Sequence, residues 1–302
     1  MFVQIQEVSC GWQHTIALTY NGFMFSWGLN INGQLGLGDY HDRDSPWLIE
    51  SALVTKARQV WAGHSHTAMI DQEGSLYTWG ANPDSRLCKQ ITYYKLSMRP
   101  KNFNKPSKCT VIGKDHIVDM SLGADHSLFL RDDGLVYAWG NVNRGQLGDR
   151  YYNPKTSPDP FFPHYSFSVK GNKCVKVAAG DGFSVFLTEK GKVFSWGEGN
   201  YGRLGHPTTS TIAKPLLIEY FRTHKINIID ISAGGRHTFA LSDKRELYVW
   251  GFGYYYQLAS LTNDDSLQPS KVQLKNEVEN ISCGYFHSAY IMGEDPVRHE
   301  VE

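Results

Sequence analysis

The sequence predicts an all-β propeller of four-stranded blades, made of five full repeat units plus a half unit and open or incompletely closed. Three observations predict it. A Trp-Gly pair returns at Trp27, Trp79, Trp139, Trp196 and Trp250, at intervals of 52, 60, 57 and 54 residues by subtraction. Around each pair the register holds without a gap. A leading glycine (Gly11, Gly63, Gly123, Gly180, Gly234) stands 17 positions before the Trp-Gly glycine, and a leucine (Leu35, Leu87, Leu147, Leu204, Leu258) stands seven after it. Each unit also carries two short alternating runs on either side of a turn, the pattern of a β-hairpin. A sixth leading glycine, Gly284, opens Gly284-Tyr285-Phe286-His287-Ser288, but no sixth Trp-Gly follows it.

The units divide at about 1–56, 57–115, 116–172, 173–224, 225–275 and 276–292, and 293–302 is expected to be a disordered tail. The first strand of each ends at the leading glycine, with an apolar residue three positions before it (Val8, Val60, Met120, Val177, Ile231, Ile281). A second apolar residue follows seven after the glycine (Leu18, Ile70, Leu130, Leu187, Leu241, Ile291) and belongs to the second strand. Gly22, Gly74, Gly134 and Gly191 then supply the hairpin turn, and Arg245 in the fifth unit demands either another turn geometry or strain. An aromatic run ending in Trp-Gly is the third strand. Runs such as Pro46-Trp47-Leu48-Ile49 and Pro215-Leu216-Leu217-Ile218 are the fourth.

Small residues beside the leading glycine (Cys10, Ala62, Ala179, Ala233, Cys283) suit strands crowding an axis, and Leu122 at this position predicts a locally wider spacing. The tryptophans and the constant leucines are the expected plugs between neighbouring blades.

Thirty basic and thirty acidic side chains balance, with no basic block, so nothing asks for nucleic acid. Neither a signal peptide nor a membrane span is legible, and five cysteines without paired spacing suit reduced thiols. A cytoplasmic setting is expected, with nuclear or ciliary settings as alternatives.

The motif set Gly-x-x-His-Thr/Ser, turn glycine, aromatic-x-Trp-Gly and Gly-Gln-Leu-Gly resembles the regulator of chromosome condensation repeat family over nearly the whole chain. That resemblance implies a propeller of about seven blades. Five units and a hairpin give roughly 22 strands at four per blade, too few for such a ring. Both ends of the chain begin units in the same way, so they cannot complete each other, and an exposed half-blade is expected. The resemblance also implies a protein-binding role. Its founding member is an exchange factor for the small GTPase Ran, and other members are docking modules in ubiquitin ligases, kinases, ciliary or trafficking proteins.

By the resemblance, Asp125, Asp181, His237 and His287 stand at positions that meet a Ran-like or Rab-like GTPase. The alternative is a non-catalytic docking subunit of a ciliary, cytoskeletal or ubiquitin-ligase assembly, joined through the half-blade. No bond-making catalysis, cofactor or metal is expected, since no triad, phosphate-cradling loop or paired-carboxylate motif stands out. The repeated histidines suit a structural hydrogen bond to a backbone group, needed by every blade. Two long insertions complete the candidate partner-binding set. The first, basic and aromatic, includes Tyr93, Tyr94, Arg99 and Lys101; it suits either an acidic partner or a solvated loop. The second includes Phe161 and Phe162, which suit either a contact patch or a cover for a blade edge. Tyr254-Tyr255-Tyr256 raises the same choice.

Overall fold

A computed structural model describes residues 3–83, 86–87, 102–110, 117–148, 164–167 and 172–293. Tyr93, Tyr94, Arg99, Lys101, Phe161, Phe162 and the expected tail from 294 onward lie outside the described residues. Unit 1 is an antiparallel meander in spatial order β1 (Ile5–Cys10), β2 (His14–Thr19), β3 (Met24–Gly28) and β4 (Arg43–Leu48). Unit 2 repeats it as β5 (Ala57–Ala62), β6 (His66–Asp71), β7 (Leu76–Gly80) and β8 (Phe103–Lys108). Unit 3 has β9 (Ile117–Leu122), β10 (His126–Arg131), β11 (Val136–Gly140) and β12 (His164–Phe167). Unit 4 has β13 (Cys174–Ala179), β14 (Phe183–Thr188), β15 (Val193–Gly197) and β16 (Ile212–Leu217), followed by the short helix α1 (Glu219–Thr223). Unit 5 has β17 (Ile228–Ala233), β18 (His237–Ser242), β19 (Leu247–Gly251) and β20 (Ser266–Lys271). The sixth contains only the hairpin of β21 (Val278–Cys283) and β22 (Ser288–Met292).

The hairpin turns between second and third strands place Gly22, Gly74, Gly134 and Gly191 at φ of 79°, 82°, 84° and 66°. Arg245 adopts 58° at the same place, so the fifth turn keeps the common geometry and accepts the strain of a Cβ.

The six first strands stand around an axis and line a cavity of about 410 Å³. Successive units are joined there by a backbone series: Trp12 N–H donates to Gly63 O (3.3 Å), His64 to Gly123 (3.2 Å), Ala124 to Gly180 (3.1 Å), Asp181 to Gly235 (2.8 Å) and Gly235 to Tyr285 (3.0 Å). This close approach fixes the leading glycine. A Cβ on Gly11 would lie 2.3 Å from Gly63 O and 2.4 Å from Cε1 of its own His14. Leu122 opens no wider spacing, contrary to the sequence expectation. It packs over Gly63 of the preceding unit, where a Cβ would come within 2.7 Å of its own, and the axial bond at that junction is as short as its neighbours.

The cores lie between units, as the plug expectation requires. At the first junction Ile16, Leu18, Met24 and Ile49 of unit 1 close on Ala57, Val60, Met69 and Trp79 of unit 2. Equivalent positions build the other four junctions. Trp79, Trp139, Trp196 and Trp250 are fully buried, and all five constant leucines are buried with them. Trp27 is only half-buried, because among the described residues no complete unit packs against its outer side. Val8 shows the same end effect at 53% exposed, while its counterparts in the later units are at 6% or less. The described sheets thus form an open array.

A polar clasp crosses each of the first three junctions. At the first, Thr67 Oγ1 donates to Gln34 O (2.7 Å), and Trp79 Nε1–H donates to the same carbonyl (2.9 Å). His14 Nε2 meets that hydroxyl at 2.9 Å, and because the hydroxyl proton is already given to Gln34, the imidazole is the donor. The pattern repeats as His66, Ser127, Arg86 O and Trp139, and again as His126, Ser184, Gln146 O and Trp196. The histidines therefore reach a hydroxyl on the next unit rather than a backbone group. At the fourth junction Phe183 replaces the histidine, and Thr238 Oγ1 is buried with no hydrogen-bond partner. At the fifth, His237 Nε2 meets Ser288 Oγ at 2.6 Å.

Candidate functional site

The turns from Gly-x-x-His and the loops after Trp-Gly emerge on one face, since each turn histidine pairs with the Trp-Gly glycine of its own unit. Every turn begins with the repeat's glycine, all but the fourth end with its histidine, and all depart from one another at the two positions between. Those positions hold Trp12, His64, Asp125, Asp181, Arg236, Tyr285 and Phe286, and the chain brings them together around the mouth of the axial cavity.

Half of this mouth is an ion cluster. Arg144, from the loop after β11, donates from Nη2 to Asp125 Oδ2 (2.8 Å) and from Nη1 to Asp181 Oδ1 (2.8 Å) and Glu198 Oε2 (2.9 Å). Its guanidinium lies flat over Gly182, where a Cβ would come within 2.7 Å of Nη1. Gln146 adds a bond from Nε2 to Asp125 Oδ1 (3.3 Å), and Tyr285 Oη donates to Asp181 Oδ2 (2.9 Å). Arg203, fully buried, spans Asp181 O (2.7 Å) and Glu198 Oε2 (3.4 Å).

Burial alone would raise the Asp125 carboxyl, but His126 and Arg144 together hold it well below the usual carboxylate range. Burial, with Asp181 adjoining, pushes the Tyr285 phenol up to about 12. Burial, followed by the Arg86 charge, lowers His64. Asp125 and Arg144 therefore stand as a held pair of opposite charges.

The other half is aromatic. Trp12 stacks on His64 (4.2 Å between centroids), His64 meets Tyr285 edge-on (5.4 Å), and Tyr285 meets Phe286 (4.6 Å). Contacts continue through Tyr255 (5.5 Å from Phe286) to Phe252 (5.8 Å) and Tyr201 (4.9 Å). Arg236 lies 5.6 Å above the Tyr201 ring and 6.0 Å from Phe252, within cation–π range. Trp12, Tyr254, Tyr255, Tyr256 and Phe286 are all exposed. Exposed aromatics beside guanidiniums are the composition enriched in protein interfaces.

Of the residues singled out by resemblance, Asp125 and Asp181 share Arg144 and are buried by it. His237 is fully buried beneath the face and held by Ser288, whereas His287 is exposed on the unit 6 turn. Arg144, Arg236, Trp12 and Tyr285 occupy positions that no motif of the repeat specifies. The signal that could have found three of them is departure from the repeat: turn positions differing in every unit are positions that the blade architecture does not dictate.

The family model of the RCC1-like domain matches residues 2–290. The E3 ubiquitin-protein ligase HERC2 of Homo sapiens is 31% identical over 285 residues, covering 93% of this chain and 6% of that protein. The chain thus spans a small part of that relative. Among solved structures, human WBSCR16 superposes with a TM-score of 0.80 at 23% identity, over 95% of this chain and 72% of that one. Prp20p of Saccharomyces cerevisiae, whose structure was described with its binding to Gsp1p and histones, superposes with a TM-score of 0.63 at 21% identity, over 96% and 83%.

Proposed function

Since the chain belongs to the RCC1-like domain family, we propose that it is a protein-binding propeller whose working surface is the mouth of the array, and that its partner is a small GTPase of the Ran or Rab kind. The observation that carries this reading is the continuous run of exposed Trp12, Tyr255 and Phe286 beside the guanidiniums of Arg144 and Arg236. Aromatics supply the area that a partner desolvates, and Arg236, over the Tyr201 and Phe252 rings, gives direction to its acidic groups. Asp125 and Asp181 act from below, holding Arg144 in place. His237 anchors the unit 6 turn and its exposed His287.

The binding of Prp20p to Gsp1p makes a GTPase the first partner to test. Exchange in this reading needs no bond chemistry. A surface that holds the nucleotide-free GTPase more tightly than the loaded form shifts the equilibrium toward nucleotide release.

The test is release of fluorescent GDP from a panel of Ran and Rab GTPases, with this chain at catalytic amounts. Acceleration that drops tenfold or more with Arg144→Ala is expected. No acceleration for any member by well-folded protein would remove the exchange reading. The similarity to a short segment of a very large ligase favours a second reading, a docking domain that uses the same mouth for another protein.

A further inference from the structure

The hairpin turns between second and third strands lie at the far end of the strands from the mouth, because β14 and its counterparts start at the mouth and run away from it. At unit 4 this end holds a pocket of about 240 Å³, enclosed by the β14–β15 turn, the end of β16, α1 and the connection that leads into β17. Its floor is apolar: Val193, Ile218 and Phe221 are buried there, with Leu217 and Ile226 half-buried beside them. Its rim is basic. Lys190, Lys192, Arg222 and Lys225 line it, and among the described residues no carboxylate does. Glu219 pairs with Arg222 just outside, where both side chains are more than half exposed. An exposed pair of this kind holds little.

The walls are set by the fold. Phe221 meets Tyr248 edge-on at 5.7 Å and Trp250 at 5.9 Å between centroids, which fixes it in the core between units 4 and 5. Ile226 N–H donates to Phe221 O (2.9 Å) and Lys225 N–H to Arg222 O (3.3 Å), folding the connection back over α1, and Lys225 makes that bend at a φ of 55°. Ile228 N–H donates to Gly191 O (3.2 Å) and ties the connection to the turn. A preformed wall spares a ligand the cost of ordering it.

The blade architecture does not ask for these cations. In the other four complete units the turn position is flanked by Asn21 and Phe23, Glu73 and Ser75, Asp133 and Leu135, and Lys244 and Glu246; unit 4 alone has lysine on both sides. Thirty basic and thirty acidic side chains balance over the whole chain, so the rim is a local concentration of charge. The pocket's 240 Å³ falls short of the range of about 300–1,000 Å³ that whole small molecules occupy, and it suits a single inserted side chain.

We infer that this pocket docks an acidic segment of a second partner protein, which inserts one aliphatic or aromatic side chain against Phe221 and sets its carboxylates against the cations of the rim. A bare phosphate or a phosphodiester backbone would leave the apolar floor unfilled. The inserted side chain supplies affinity, and the charges supply encounter rate and choice of partner. The site shares no residue with the mouth.

The test uses the full chain and fluorescent glutamate-rich peptides, each with one central leucine, isoleucine, phenylalanine or tryptophan. Saturable binding of at least one is expected, at least tenfold weaker when its central residue is alanine. Lys190→Glu/Lys192→Glu should weaken it at least tenfold with an unchanged thermal midpoint, and raising the salt should weaken it on the unaltered chain. Hydrogen exchange on the unaltered protein should show new protection within 190–193 and 217–227. The Trp12→Ala/Tyr255→Ala variant should bind the peptide as the unaltered chain does, which separates this site from the mouth. Absence of binding by every peptide, equal binding by the alanine peptide, no loss on charge reversal, equal displacement by inorganic phosphate or single-stranded DNA, or protection confined to other segments would each overturn the proposal.

Discussion

At the residue scale, the junctions are decided by whether a buried hydroxyl has its partners. Thr67 satisfies both the Gln34 carbonyl and the His14 imidazole, whereas Thr238 meets nothing because Phe183 stands where a histidine would. Replacing each threonine by valine should therefore have opposite effects. Thr67→Val leaves the His14 Nε2–H without a partner and takes one of two donors from Gln34 O, so it should destabilise by about 1–3 kcal/mol, while Thr238→Val removes an orphan and should stabilise by about 1 kcal/mol. Urea denaturation of the two variants checks this, and equal shifts would contradict the clasp. The same histidines set the acid limit. Burial holds His14 and His237 down to about 4 and His66 well below its ordinary value. As pH falls below the unfolded value of about 6.5, the unfolded chain takes up protons that the folded chain refuses, so stability drops between about 6.5 and 4. Asp119 and Glu7 act in the opposite sense, since burial pushes both carboxyls up, Asp119 to about 6, and protonation relieves the fold, but His64 and His206 are held down with the other three, so two groups stand against five. Thermal melts from pH 7 to 4.5 should show a falling midpoint; a flat or rising one would contradict this balance.

At the element scale, strand identity was legible because the periods of two kinds coincide: alternation within strands, and the return of Trp-Gly every 52 to 60 residues. The histidine's partner was not legible, because hydroxyl and imidazole lie 53 residues apart and meet only after two sheets pack. The Arg245 turn shows what a local rule costs when broken. Its left-handed φ of 58° makes Arg245→Gly the substitution expected to stabilise, by about 1 kcal/mol, with no loss of the hairpin contacts. A lowered thermal midpoint would mean that the arginine side chain contributes more than its backbone strain removes. The tryptophans offer a second check. Trp139→Ala opens a fully buried junction and should cost about 3–5 kcal/mol, while Trp27→Ala, at the half-buried end, should cost clearly less. Equal losses would remove the distinction between interior and terminal faces.

At the scale of the whole molecule, repetition builds the scaffold and departure from repetition builds the surface. Open-array architecture could be inferred from counting units, because a half unit at the end leaves a half-blade. The mouth could not, since Trp12 and Tyr285 are 273 positions apart by subtraction yet lie 6.1 Å from each other between ring centroids. Asp125 and Asp181 were legible as residues of one face, but their shared guanidinium, Arg144, stands just before Gly145-Gln146-Leu147-Gly148, at a position the motif does not specify. The central claim is that this mouth, and not the blades' outer surfaces, contacts the partner. It is tested most directly by titrating nucleotide-free Ran and Rab GTPases against the unaltered chain and the Trp12→Ala/Tyr255→Ala double variant. The expected result is binding weakened about 100-fold, the loss of about 3 kcal/mol typical of interface anchors, with an unchanged thermal midpoint. Equal affinity for both proteins, or no binding of any GTPase to the unaltered chain, would contradict it.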